Sequence, residues 1–211
     1  LMWSWGVRWG VSSDHSPNGF VHQTCGQSML AELRCGQCND PLSLRSCSYV
    51  SGDTCHERVP AHRLHRKRMM PETAASMELI DLLGDRWTGL TISAQYFGIH
   101  RFDAIQSFLG IASNILADRL RTLEMAGLFK RIPCETSPAR HEYRLTDKGK
   151  DLYPHALATM SWADTWFASP TGPPVHIKHD CGAPIDARTV CSVCHGELTI
   201  DNVTINDARR A

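Results

Sequence analysis

The feature that most limits how this chain can fold is that its two ends repeat each other. Cys25-Gly26, Cys35 and Cys38 recur as Cys181-Gly182, Cys191 and Cys194 at one constant offset, with Ala31 matched by Ala187 and Leu42 by Leu198. A Val-His pair precedes each set (Val21-His22 and Val175-His176), and further upstream each copy has Ser-Trp followed by a second Trp: Ser4-Trp5 with Trp9, and Ser161-Trp162 with Trp166. The tryptophans are displaced by one residue relative to the cysteines, which places a single insertion between them. Two unrelated cysteine-rich knuckles would have to agree at every one of these positions, so duplication is the stronger reading. The later copy directly follows a helical domain, so the earlier one is expected to end an equivalent unit. The absence of an initiator Met adds the expectation that the chain comes from a tandem of two such units, with the first unit's main domain missing.

The repeated residues carry a definite chemistry. A His followed by Cys-x9-Cys-x2-Cys offers the Cys3His set that satisfies tetrahedral Zn²⁺. The expected ligands are His22, Cys25, Cys35 and Cys38 in the first copy, and Cys181, Cys191 and Cys194 with His179 or His176 in the second. Reduced or redox-active thiols are the alternative to metal. The opening residues Leu1 to Gly10 include Arg8 and lead to no small-residue cleavage site, so they do not read as a secretory signal. A reduced, cytoplasmic setting is therefore expected, where clustered cysteines bind metal more often than they pair. Cys47, Cys55 and Cys134 belong to no ligand pattern. Cys134 reads as an inert, half-buried thiol, with redox sensing the alternative.

Between the copies the periodicity changes. Over 72–98, apolar residues recur at helical spacing (Met77, Ile80, Leu83, Trp87, Leu90, Ile92), with Pro71 suited to a first turn. Arg101 to Leu109 makes a short helix with Phe102, Ile105 and Leu109 on one face, and Gly110 supplies a turn. A second helix, from about Ala112 to Met125, ends at Gly127. Two short helices joined by a Gly turn describe a helix-turn-helix. In the second helix Leu116, Leu120 and Leu123 must face the core, which leaves Ser113, Asn114, Ala117, Asp118, Arg121 and Thr122 outward. Ser113 and Asn114 stand at the end that meets base edges in such motifs, where Asn can pair bidentately with adenine. Ser113 also suits an N-cap. Arg119 lies beside the core stripe, to meet a phosphate or to pack its stem. Strands are expected at 128–132 and 142–146, with Pro133 to His141 as a loop bearing Pro138 and Arg140 at its tip. This hairpin is a wing whose Lys130, Arg131 and Arg140 can reach phosphate or the minor groove. Thr146 to Gly149 opens a last helix through Leu152, Leu157, Met160 and Trp162 to about Phe167, for dimerisation or for core packing.

These motifs resemble the HxlR family of winged-helix regulators. The resemblance rests on Gly84-Asp85-Arg86-Trp87-Thr88, Arg101-Phe102-Asp103, Asn114 through Leu120, Ala126-Gly127-Leu128, and Tyr143 through Gly149. It covers about 95 residues in order and implies a bacterial or archaeal DNA-binding regulator that works as a dimer. The family's paired prolines at the wing entrance are reduced here to Ser137-Pro138-Ala139.

The expected architecture is mainly α with a small β wing (α+β). Its parts are a first Cys-rich tail (1–45), a basic linker (46–71), the winged helix-turn-helix (72–167) and a second Cys-rich tail (168–211). Net charge is zero, so attraction to nucleic acid must be local. From Arg101 to Lys150 nine Lys/Arg face six Asp/Glu, and Arg63, Arg66, Lys67 and Arg68 form a second basic cluster. The DNA-binding candidates are Arg101, Ser113, Asn114, Ala117, Arg119, Arg121, Lys130, Arg131 and Arg140. Expected partners are duplex DNA and a second unit, as a homodimer or an intramolecular pseudo-dimer. No apolar run approaches the ~20 residues of a membrane helix. An enzyme is disfavoured because no phosphate loop, nucleophile elbow or useful carboxylate pair appears. A zinc- or thiol-based interaction module without DNA binding is the alternative, and the basic wing argues against it.

Overall fold

The computed structural model describes residues 1–11, 19–51, 82–134, 137–167, 170 and 172–205. The expected helical residues Met77 and Ile80, the basic cluster at 63–68 and Cys55 lie outside them. Asp85 opens helix α2 (Arg86–Tyr96) by accepting the Thr88 N–H at 3.0 Å, a side-chain N-cap. α3 (Phe102–Leu109) turns at Gly110, which sits at φ 61°, into α4 (Ser113–Met125). Ile105, Leu116, Leu120 and Leu123 are buried together with Ile92, Leu128, Phe129, Leu145 and Leu152. Leu90, one of the apolar residues at helical spacing, is exposed. The stripe that α2 buries is Thr88, Thr91, Ile92, Ala94 and Gln95, so polar residues occupy positions that hydrophobicity alone would not select.

The wing is longer than the sequence suggests. β5 (Phe129–Cys134) pairs with β6 (Ser137–Leu145), and Pro133 is paired with His141 while Cys134 is paired with Ser137. Residues 138–140 are therefore extra residues within β6, and Arg140 is not at the hairpin tip. The last helix is also split. Thr146 caps α5 (Asp147–Lys150), and α6 (Tyr153–Trp166) restarts with Pro at its first turn, where the missing N–H costs nothing. Gly149 explains its own place in the motif. A Cβ there would strike the Leu128 carbonyl and Leu145, so the close approach of α5 to the wing admits only glycine.

The two repeated segments meet each other. β3 (Ala31–Cys35) pairs antiparallel with β8 (Ala187–Cys191), with Leu33 opposite Thr189 at the centre. Ala31 faces Cys191 and Cys35 faces Ala187, so exchanging the copies reproduces the ladder: a local pseudo-twofold. The outer strands obey it too. β1 (Phe20–His22) pairs with β2 (Gln27–Met29) and with β9 (Val203–Ile205), and β4 (Cys47–Ser51) pairs with β7 (Val175–His179). His22 faces Val203 just as His179 faces Cys47, which makes His179, not His176, the counterpart of His22. Helix α1 (Met2–Arg8) lies on the central domain. Trp5 is 3% exposed within its core, and the Leu33, Leu42, Tyr153 and Leu157 side chains form a second cluster under α6.

Candidate functional site

The outward face of α4 carries Ser113, Asn114, Ala117, Asp118 and Arg121, all exposed, while its opposite side is sealed into the core. The residue at the N-cap is Ala112, with no side-chain capping bond, so Ser113 is the first helical residue and not the cap. The first-turn N–H groups and the Ser113 and Asn114 side chains are thus open to an external acceptor. Arg121 is only loosely held by Asp118, at 3.9 Å.

The other basic candidates divide. Lys130 and Arg131 stand exposed on β5, with Arg131 3.2 Å from His141 Nδ1, and Arg140 is exposed on β6. Arg101 is engaged in a two-bond fork with Asp103 (2.6 and 3.1 Å), whose carboxyl it holds below the usual range. Arg119 is half-buried and paired with Asp85 at 3.4 Å, tying α4 to the N-cap of α2. Its Nε is buried without a well-formed hydrogen bond, so this contact is an ion pair of modest geometry. The structure therefore directs Arg119 inward. Cys134 is buried in the wing, beside Glu142.

The eight expected metal-ligand residues do come together, but not tail by tail. One set is His22, Cys25, Cys191 and Cys194; the other is His179, Cys181, Cys35 and Cys38; within each, the ligand atoms lie within 4.8 Å of one another. The reason is extended geometry. β3 carries Cys35 about 13 Å from Ala31, away from Cys25. The antiparallel ladder brings Cys191 in beside Ala31 instead. Each site is completed only by the other copy.

Four short loops build the two sites in one way. A left-handed residue follows each loop's second ligand: Gly26 (φ 68°), Asn39 (63°), Gly182 (86°) and His195 (57°). Its N–H donates to the carbonyl of the loop's first ligand, at 2.8 Å for His22, Cys35 and His179 and 2.9 Å for Cys191. Asn39 and His195 are the two described non-glycine residues at positive φ, which marks the turns as imposed by the ligand geometry. The edges fit a metal. Zn–S near 2.3 Å and Zn–N near 2.0 Å imply tetrahedral edges of about 3.8 Å between sulfurs and about 3.5 Å from sulfur to nitrogen. The structure has Cys25–Cys191 at 4.0 Å and Cys35–Cys181 at 3.9 Å, with His22 Nδ1 3.2 Å from Cys194 and 3.5 Å from Cys25, and His179 Nδ1 3.4 Å from Cys38. These residues could hold a metal. The left-handed residues just after each loop were a readable sign of such knuckles that the ligand spacing alone did not exploit.

A family model described as HxlR-like helix-turn-helix matches residues 82–170. The HTH-type transcriptional regulator Rv3095 of Mycobacterium tuberculosis, itself uncharacterized, is 42% identical over 126 residues, which span 59% of this chain and 80% of that protein. The chain belongs to the HxlR-like helix-turn-helix family. It is a DNA-binding transcription regulator. The HTH-type transcriptional regulator YvaP of Bacillus subtilis is 38% identical over 89 residues (42% of this chain, 82% of YvaP). A solved structure, that of PA1607, a candidate transcription factor, shares 34% identity at a TM-score of 0.54, covering 65% of this chain and 94% of PA1607. No described helix of this HxlR protein is long and apolar enough to cross a membrane.

Proposed function

We propose that this regulator reads duplex DNA with α4 in the major groove, Ser113 and Asn114 at base edges, Ala117 against a thymine methyl and Arg121 at a base or phosphate. Lys130, Arg131 and Arg140 on the wing neutralise phosphates, while Arg119 and Arg101 position α4 and α3 through their carboxylate partners. The observation that carries this reading is the contiguous exposed face Ser113–Asn114–Ala117–Arg121 on a helix whose other side is fully buried. Selection of bound fragments from genomic DNA supplies the operator. On it, Asn114→Ala or Arg121→Ala should lose ~1–3 kcal/mol of specific binding. Wild-type gel-shift affinity for both variants would remove this face as the reading surface.

The same reading takes the two Cys3His sets as structural zinc sites that clasp the two tail modules together. Support comes from the edge lengths and the four matching loops. Metal analysis of reduced, chelator-free protein should find two Zn per chain, one for each set. Helix-turn-helix pairs meet half-sites about one helical turn apart. A chain whose tails already form a pseudo-twofold suits that geometry as one half of an intramolecular pseudo-dimer of tandem units.

A further inference from the structure

The first copy of the repeat shows what its tryptophans are for. Trp5 donates its indole N–H to the Lys148 carbonyl at 2.9 Å, Trp9 donates to Asp151 at 2.8 Å, and Arg8 pairs with the same carboxylate at 2.8 Å. Leu42 is buried, and Leu44 packs against the core of the central domain. The α1 helix and first tail thus cover α5 of the winged domain, contacting it through a fixed set of positions.

In the second copy the same positions are more exposed, and no described residue takes the place that the winged domain holds against the first. Trp162, the counterpart of Trp5, is 55% exposed, and Trp166, the counterpart of Trp9, is 70% exposed, with Phe167 beside them. Leu198 is half-exposed where Leu42 is buried, and Ile200, the counterpart of Leu44, is 93% exposed. Trp5 and Leu42 are buried while their counterparts Trp162 and Leu198 are exposed and half-exposed. Trp166 and Ile200 are far more exposed than Trp9 (37%) and Leu44, an asymmetry running along the repeat that single surface hydrophobics do not explain.

We infer that the Trp162–Trp166–Ile200 face is the docking surface for a second winged domain of this family, held through that domain's own short helix as Trp5 and Trp9 hold α5 here. The pseudo-twofold at Leu33 and Thr189 places it. The occupant offers a backbone carbonyl in the place of Lys148, for the Trp162 indole, and a carboxylate in the place of Asp151, for Trp166. A second copy of this chain does not fit the role, because its own α5 is already covered by its own Trp5 and Trp9. This rests on the two-reader interpretation of the repeat, yet it is read without DNA, so either can fail alone.

The test extends the 211-residue chain ahead of Leu1 by a copy of residues 72–157, so that the added last helix runs on into α1. Oxidation of individual tryptophans by N-bromosuccinimide is then followed by mass spectrometry. In the unextended chain Trp162 should oxidise before Trp5 and Trp166 before Trp9; in the extended chain the rate at Trp162 should fall to that of Trp5 and the rate at Trp166 to that of Trp9. Replacing the Asp151 equivalent of the added copy by Ala should raise the rate at Trp166 again and leave the rate at Trp9 unchanged. Unchanged rates at Trp162 and Trp166 overturn the inference. So does an added copy that gains no helical circular dichroism, since the second tail is proposed to support it as the first supports its neighbour. Protection that appears in the unextended chain as its concentration rises would mean that a second copy covers the face, and would equally overturn it.

Discussion

The Lys148 carbonyl accepts the indole N–H of Trp5 at 2.9 Å, while the ammonium of the same lysine donates to the Ala126 carbonyl at 3.0 Å. One residue thus joins the repeat helix α1 to the C-terminal end of α4, where a cation also complements the helix dipole. The Lys148 ammonium lies 5.5 Å from the centre of the Trp5 ring, adding a cation–π contact.

From this bond follows a contrast between repeat partners. Trp5→Ala removes a buried indole and leaves a cavity, at a cost of about 3–5 kcal/mol. Trp162→Ala, at the matching position but exposed, should change the stability of this chain by no more than ~0.5 kcal/mol. Urea unfolding of both variants checks it; equal losses would mean that Trp162 is packed in this chain.

Arg119 offers a separation of stability from recognition. Its partner Asp85 is also the N-cap of α2, so Arg119→Ala should cost about 1 kcal/mol of folding stability. DNA affinity at temperatures where the variant is folded should fall less than for Asn114→Ala or Arg121→Ala, because Arg119 acts only by holding α4 in place. Arg140→Ala should behave oppositely, weakening specific and non-specific DNA alike and lowering the salt slope by roughly one. Parallel melting and salt-dependent gel-shift titrations distinguish the two.

Acid sensitivity should have one identifiable source beside α2. Burial, and secondarily the Arg144 charge, push the His100 imidazole below its ordinary value, and its Nδ1 lies 2.9 Å from Gln95 Oε1. The unfolded chain therefore binds a proton first as pH falls. Stability from this group is complete above about pH 6.5 and is lost as pH drops through the depressed folded value. His155 is shifted the same way by burial, so His100→Gln should flatten that limb of the stability–pH curve in part, not wholly. A variant whose curve overlays the wild type would assign the acid limb elsewhere.

How far the sequence reached depends on the range of the interaction. The HTH and wing were legible because Leu116, Leu120 and Leu123 follow a local period and Gly110 and Gly127 punctuate it. Boundaries that depend on one residue's geometry were not: the wing strands run past Pro133 to Cys134, and Pro154 breaks the last helix. In α2 hydrophobicity does not stand in for burial: Leu90 is exposed, while Thr88 and Thr91 take inward positions. The metal candidates were all legible as residues, yet their partnership was not, since spacing along the chain says nothing of which strand lies opposite.

That crossed partnership yields the sharpest prediction. Cys25 and Cys191 lie 4.0 Å apart in one set, and Cys35 and Cys181 lie 3.9 Å apart in the other. Cys191→Ser should remove one zinc, and adding Cys25→Ser should remove no more, because both serve the same ion. Adding Cys35→Ser to Cys191→Ser should instead strip both. Grouping by tail would put Cys25 and Cys191 in different sites, so the Cys25/Cys191 double variant would then lose both ions. Its zinc content separates the arrangements, and the Cys35/Cys191 variant, which loses both ions under either, is the metal-free control. Because each ion would join the two copies, its loss should also loosen α1 from the winged domain, read as faster oxidation of Trp5. Metal-free protein in which Trp5 stays as protected as before would mean that the ions do not clasp the two copies.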